Sequence, residues 1–119
     1  MIAYVADATV PYEITPFEVN QRMAAGEKLA FIDVREPSEF QQARIDGAEL
    51  IPMRTIPAEL QHLEALADDA ALIVYCHHGV RSLQVVNWLR EQGVASCQSL
   101  AGGIDRWSLE VDANVPRYF

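Results

Sequence analysis

The stretch Tyr75-Cys76-His77-His78-Gly79-Val80-Arg81-Ser82 brings together a thiol, two imidazoles, a glycine and a guanidinium. A short apolar run precedes it and an amphipathic helical pattern follows it. Cys76 therefore falls beyond the carboxyl end of a strand, where open α/β sheets bind their ligands. Gly79 takes up backbone angles that other residues avoid, which lets the chain curl around a small group. Amide N–H groups in such a curl turn inward as an anion nest, and the following helix adds the positive end of its dipole. Both features favour an anionic sulfur, so Cys76 reads as a nucleophile. Arg81 adds a fixed positive charge and a donor fork for an oxyanion. A strand-terminal Cys alone reads better as a small hydrophobe before a glycine turn. The Cys, Gly and Arg together favour the nucleophile.

His77 and His78 lie on the same loop, where partial protonation near neutral pH attracts an anionic donor. A metal site built from Cys76, His77 and His78 is not expected. Adjacent residues point apart, and no Cys-x2-Cys or His-x3-His spacing supports it. No metal and no cofactor are predicted. Asp33 and Arg35 follow a second buried strand. They either touch the active loop and line its pocket or, the favoured reading, form a local salt bridge and capping network reaching Glu39. Cys97 reads as a buried small hydrophobe. A resolving role toward Cys76 needs a proximity that spacing does not give.

Strands and helices alternate around these residues. Leu29-Ala30-Phe31-Ile32 and Leu72-Ile73-Val74-Tyr75 are continuous apolar runs suited to strands covered on both faces. Glu49-Leu50-Ile51 and Val94 to Leu100 are weaker strand candidates. Thr15-Pro16-Phe17-Glu18 predicts a helix start, with Thr as N-cap, running to about Ala25 and stopping at Gly26. Ile56, Leu60, Leu63 and Leu66 repeat at helical spacing behind Pro57, as do Leu83, Val86 and Leu89 before Gly93. A shorter helix is expected near Pro37 and another over Ile104 to Leu109. The alternation predicts an α/β fold with a mostly parallel sheet. Gly102 and Gly103 predict a tight turn at the sheet edge that carries the active loop. One domain over 1–119 is expected, with an irregular extension at 1–12 and a tail at 110–119.

Composition narrows the function. The chain has 119 residues, 50% apolar and 22% charged, with a net charge of −8. Its basic residues are eight Arg and one Lys, dispersed among 17 acidic residues. No basic run is available to neutralise phosphates, so nucleic acid and acidic membranes are not expected partners. Residues 1–10 lack the basic start of a secretory signal, and two Cys make no disulfide framework. A cytoplasmic, reducing location is expected.

Three segments carry a family resemblance. Cys76 to Ser82 resembles the active-site loop of the rhodanese-like sulfurtransferases. Phe31-Ile32-Asp33-Val34-Arg35-Glu36-Pro37-Ser38-Glu39-Phe40, then Ile45, Gly47-Ala48 and Ile51-Pro52, is similar to that family's upstream signature. Leu100-Ala101-Gly102-Gly103-Ile104-Asp105-Arg106-Trp107 resembles its C-terminal Gly-Gly-x-x-x-Trp element. Together they span about residues 13–118. Many relatives carry Gly-His where this chain has Ala43-Arg44.

The resemblance implies a five-stranded, mainly parallel sheet flanked by helices on both faces. It also implies ping-pong sulfur transfer from a donor such as thiosulfate to cyanide or a thiol. Cys76 would carry the persulfide. The loop amides of His77, His78, Gly79, Val80 and Ser82 would hold its terminal sulfur, and Arg81 would meet the anionic donor at the rim. The fold also hosts phosphatases and arsenate reductases with a Cys-x5-Arg loop. The shorter Cys-x4-Arg spacing of Cys76 and Arg81 makes a tighter cradle, suited to one sulfur. A third class is a non-catalytic or sulfur-carrier module docking on a partner. The segment Val115-Pro116-Arg117-Tyr118 is similar to tails of relatives that act beside sulfur-carrier activating enzymes, which hints at a sulfur-relay partner.

Overall fold

A computed structural model describes residues 10–119. Strand β1 (Glu13–Ile14) leads into helix α1 (Pro16–Ala24). Then come β2 (Leu29–Asp33), α2 (Pro37–Gln42), β3 (Glu49–Leu50), a 3-10 helix (Met53–Glu59), α3 (Leu60–Ala67), β4 (Ala71–Tyr75), α4 (Val80–Glu91), β5 (Cys97–Leu100) and α5 (Gly103–Glu110). The five strands form one sheet in the order β1-β5-β4-β2-β3, and every pairing is parallel. Parallel neighbours need crossovers, and the helices supply them. The sheet is thus parallel throughout.

Local chemistry sets the element ends. The Thr15 hydroxyl accepts from Glu18 N–H at 3.1 Å, and Glu18 Oε1 accepts from Thr15 N–H at 3.0 Å, closing the capping box that starts α1. The helix behind Pro57 is two pieces: Pro57 lies inside the 3-10 turns, and regular helix begins at Leu60. Proline has no N–H to donate and crowds the turn before it, so the i to i−4 ladder starts after it. β5 is shorter than the apolar run suggests, since Val94 leaves α4 by donating to the Leu89 carbonyl.

Two features of the ends carry no signal in the sequence pattern. Glu13–Ile14 pairs with Ser99–Leu100, a two-residue strand too short to show a pattern. The segment after α5 carries no helix or strand and is packed against the domain: Val115 is buried and its carbonyl accepts from the buried Ser108 hydroxyl at 2.6 Å. Of the expected extension at 1–12, residues 1–9 lie outside the described residues. Arg90 donates to the carbonyls of Val10 and Pro11.

Side-chain alternation divides the core. Ile32, Val34, Leu72, Val74, Cys76 and Cys97 join the cluster under the 3-10 helix, α3 and α4. Phe31, Ile73, Tyr75 and Leu100 join the opposite cluster with Val19, Ile104 and Trp107. On α4 the buried stripe runs through Ser82, Val85, Val86 and Leu89, with Leu83 only partly covered. Among the described residues no helix is long and apolar enough to cross a membrane.

Candidate active site

β4 ends at Tyr75, and the next residue turns its thiol toward the start of α4. Cys76 is 1% exposed. Its Sγ accepts from the N–H of Gly79 at 3.1 Å and of Ser82 at 3.4 Å, and the Ser82 hydroxyl stands 3.4 Å away. Behind it, the hydroxyls of Ser82 and Ser99 are 2.8 Å apart, both side chains fully buried. When Ser99 donates to Ser82, the Ser82 proton is free for the sulfur. Ser99 escaped the sequence reading. It is opposite Val74 in register, hence on the Cys76 face, but a serine in a short strand carries no motif.

The loop conformation depends on its glycines. Gly79 caps α4 at φ +102°. A Cβ there would press on the Gly102 amide at 3.2 Å. Gly103, at φ +64°, lies so close to the loop that a Cβ would collide with the carbonyls of Cys76 and His77. That close approach lets Ile104 N–H donate to the Cys76 carbonyl at 2.9 Å and Asp105 N–H to the His77 carbonyl at 3.2 Å. A trans peptide points its N–H opposite its carbonyl, so the amides of His77 and His78 face away from α5. Gly102 and Gly103 thus sit at the same sheet edge as the loop, as expected.

Arg81 stands at the rim, 36% exposed. Its two terminal nitrogens donate to Glu39 at 2.9 and 3.0 Å. These bonds hold Glu39 down to a pKa of about 2 and raise that of Arg81. A guanidinium has five N–H groups. Glu39 takes two, so three remain for an oxyanion. Val80, the first residue of α4, is 69% exposed. Glu39 is a functional neighbour that the sequence offered only as the end of a capping network.

Asp33 and Arg35 do not line a pocket. Asp33 is opposite Tyr75 in register, so it points to the face away from Cys76. Both side chains are fully buried and paired with each other at 2.9 and 2.6 Å. Arg35 also donates to the carbonyls of Ala43 and Glu39 and to the Tyr118 hydroxyl. Burial works against its charge, but the bonds to Asp33 and Tyr118 outweigh it and raise its pKa. The local salt bridge is what the structure contains, extended to Glu39 as the favoured reading had it.

His77 and His78 do not point apart. Their rings stack at 3.9 Å and 26°, and His77 stacks on Tyr118 at 3.9 Å and 11°. Burial, then the neighbouring His78, lowers the His77 pKa, so this ring is mostly neutral at pH 7 rather than a cationic lure. Its Nε2 is buried without a hydrogen-bond partner. His77, His78 and Asp105 bring ligand atoms within 4.8 Å of one another. Stacked rings keep their in-plane lone pairs side by side, so both cannot meet one ion at the roughly 2 Å of an imidazole–metal bond. Both Asp105 oxygens are held by Arg117 besides.

Cys97 pairs with Leu72 in register, four residues before Cys76 along β4. At about 3.3 Å per residue the two sulfurs are on the order of 13 Å apart, too far for a disulfide. Its thiol donates to the Val94 carbonyl at 3.3 Å, and burial raises its pKa. It is a core residue.

Comparison with known proteins places this site in context. A rhodanese-like domain model matches residues 15–110. The chain is 35% identical over 95% of its length to the probable adenylyltransferase/sulfurtransferase MoeZ of Mycobacterium tuberculosis, of which it spans only 29%. It is 33% identical over 81% of its length to a sulfurtransferase of Allochromatium vinosum, of which it spans 87%. Among solved structures, a rhodanese-like domain protein from Staphylococcus aureus superposes with a TM-score of 0.74 at 27% identity, covering 92% of this chain and all of that one. A human single-domain sulfurtransferase gives 0.73 at 25% identity, covering 85% of this chain and 98% of that one.

Proposed function

The chain belongs to the rhodanese-like family, and from that premise we propose that it transfers sulfane sulfur through a persulfide on Cys76. The observation that carries this reading is the sulfur's own surroundings: two amide N–H groups and one hydroxyl converge on Cys76 Sγ. Donors fixed before reaction stabilise an anionic sulfur without reorganising when charge develops.

In the first half-reaction the Cys76 thiolate attacks the outer sulfur of thiosulfate. The donor S–S bond breaks, its electron pair leaves with sulfite, and Cys76 carries a persulfide. Arg81 meets the sulfonate with the N–H groups that Glu39 leaves free. In the second half-reaction cyanide or a thiolate attacks the terminal sulfur, and Cys76 departs as the thiolate. The loop from Cys76 to Arg81 is one residue shorter than the Cys-x5-Arg loop of phosphatases, which disfavours phosphatase chemistry. His78, Val80 and the loop amides form the approach to the sulfur. A sulfur-relay protein is a proposed partner, since several relatives are named adenylyltransferase and sulfurtransferase together. Two free cysteines suit a cytoplasmic location.

Intact-protein mass spectrometry after thiosulfate, then after cyanide, tests the proposal. One added sulfur on Cys76, removed by cyanide as thiocyanate and absent in Cys76→Ser, is expected. Undiminished sulfur transfer by Cys76→Ser would sink it.

A further inference from the structure

Three rings form a column on the Cys76 loop. The Tyr118 and His78 rings each lie 3.9 Å from the His77 ring, at 11° and 26° to it. Two rings so close and so nearly parallel to a third cannot share one face of it, so they cover opposite faces. His77 is therefore the middle of the column. Tyr118 is its inner end, anchored through its hydroxyl by Arg35 and Glu39. His78 is the outer end and is exposed. Among the described residues no other ring and no guanidinium stacks on it. This open end is close to the sulfur. Gly79 N–H donates to Cys76 Sγ at 3.1 Å. Two covalent bonds separate that nitrogen from the His78 Cα, so the Cα is within about 6 Å of Sγ. Val80, on the other side of Gly79, is 69% exposed, an apolar side chain with no core to join. An imidazole face and an isopropyl group thus border the approach to one sulfur.

We propose that the outer face of His78 is a stacking subsite, selecting sulfur donors and acceptors that carry a planar aromatic group beside the reacting sulfur over those that carry an alkyl group. The proposal rests on the sulfur-transfer reading and names a substrate class for it. Ring pairs attract at centroid separations of roughly 4.5–7 Å. A ring one or two atoms from the reacting sulfur falls within that reach of a side chain rooted so near to Sγ. The column also fixes the platform before a ligand arrives. His77 covers one face of His78, and Tyr118 holds His77, so the imidazole loses little freedom on binding. Burial, then the neighbouring His78, keeps His77 mostly neutral at pH 7, so no charge on the middle ring repels the outer one. Val80 gives an aromatic ring an apolar edge to lie against. With an aryl thiosulfonate the Cys76 thiolate attacks the outer sulfur, the S–S bond breaks, and its electron pair leaves on the arenesulfinate. Cys76 keeps the persulfide.

Benzenethiosulfonate and methanethiosulfonate differ only in aryl against methyl. The readout is the ratio of their kcat/KM values in the wild type, His78→Ala and His78→Phe. The aryl-to-alkyl ratio is expected to fall about three- to tenfold in His78→Ala, the weight of one ring stack. His78→Phe keeps a ring face without the nitrogens, so it should hold most of the wild-type ratio. An unchanged ratio in His78→Ala overturns the proposal, and this includes the case in which both donors slow equally. A ratio as low in His78→Phe as in His78→Ala also overturns it, because the imidazole nitrogens would then be the active part. N-phenylmaleimide and N-methylmaleimide repeat the comparison at Cys76 without any persulfide, with adducts located by peptide mass. Their ratio should fall in parallel. A fall with the maleimides in a protein that no thiosulfonate loads would keep the subsite and end the sulfur-transfer reading. Loading by both thiosulfonates with neither ratio moved would do the opposite.

Discussion

Glu39 grips Arg81 through both carboxylate oxygens, at 2.9 and 3.0 Å, and so ties α2 to the loop that holds Cys76. The folded-state pKa of Glu39 is about 2, below its ordinary 4.5, chiefly through these bonds. A carboxylate with a depressed folded pKa adds stability that is complete above the unfolded pKa. It loses that stability as pH falls through the folded value. The window is therefore pH 4.5 down to about 2. Glu39→Gln should cost on the order of 1–2 kcal/mol at pH 7, less than the full shift implies because the pair is partly in solvent. Urea titrations of both proteins at pH 7, 4 and 3 should show the gap shrinking as the solution is acidified. A gap independent of pH would assign the cost to packing instead.

Arg81 keeps three N–H groups clear of Glu39, and their use is measurable. Arg81→Ala should raise KM for thiosulfate about tenfold, the worth of one or two hydrogen bonds to a charged oxygen. The effect on a neutral or thiol-borne donor should be smaller. Arg81→Lys keeps the charge but not the planar fork, so it should recover only part of the loss. Steady-state kinetics with the two donor classes decide this. An equal loss for both would mean that Arg81 shapes the loop and does not meet the donor.

Ser82 and Ser99 form a buried relay whose end points at Cys76 Sγ. Ser82→Ala removes the hydroxyl nearest the sulfur and should lower kcat/KM for sulfur transfer about tenfold. Ser99→Ala leaves Ser82 in place without its buried partner, and should cost less, roughly threefold. The double variant should be little worse than Ser82→Ala alone, because Ser99 acts through Ser82. Losses that simply multiply would show that the two hydroxyls act separately.

Why Cys76, Gly79 and Arg81 could be picked out while Ser99, Glu39 and Tyr118 could not is a matter of range. The first three sit within one turn of chain, and strand, glycine and helix signals flank them. The others come from β5, α2 and the segment after α5, and meet the loop only through tertiary packing. A serine in a four-residue strand has no local pattern to announce it, and the resemblance that marked the segment ending at Tyr118 hinted at a partner without bringing that residue to the loop. Helix α1 was legible to within a residue because its cap is a local chemical device. β1 was not, because two residues cannot show a period. The case of Arg35 is different, since the information was present. Residues 32 and 34 are apolar strand neighbours of Asp33, and alternation puts 33 and 35 together on one face. With the register of β2 against β4, that face is the one opposite Cys76. Only the register was missing.

The fully buried Asp33–Arg35 pair provides the sharpest energetic test. Arg35→Met strands the Asp33 carboxylate in the core, and Asp33→Leu strands the guanidinium. Breaking a buried pair on one side costs about 3–5 kcal/mol, because the remaining charge has no compensation. Each single variant should therefore be strongly destabilised in urea unfolding. The double variant removes both charges and should be more stable than either single. It should not regain wild-type stability, since the carbonyl of Ala43 and the hydroxyl of Tyr118 lose the donors that Arg35 gives them. An unsatisfied buried acceptor costs about 1–3 kcal/mol. The expected cycle thus has a favourable coupling of at least about 2 kcal/mol between the two residues. Additive single effects would mean that each side chain is held by its backbone contacts and that the ion pair contributes nothing of its own.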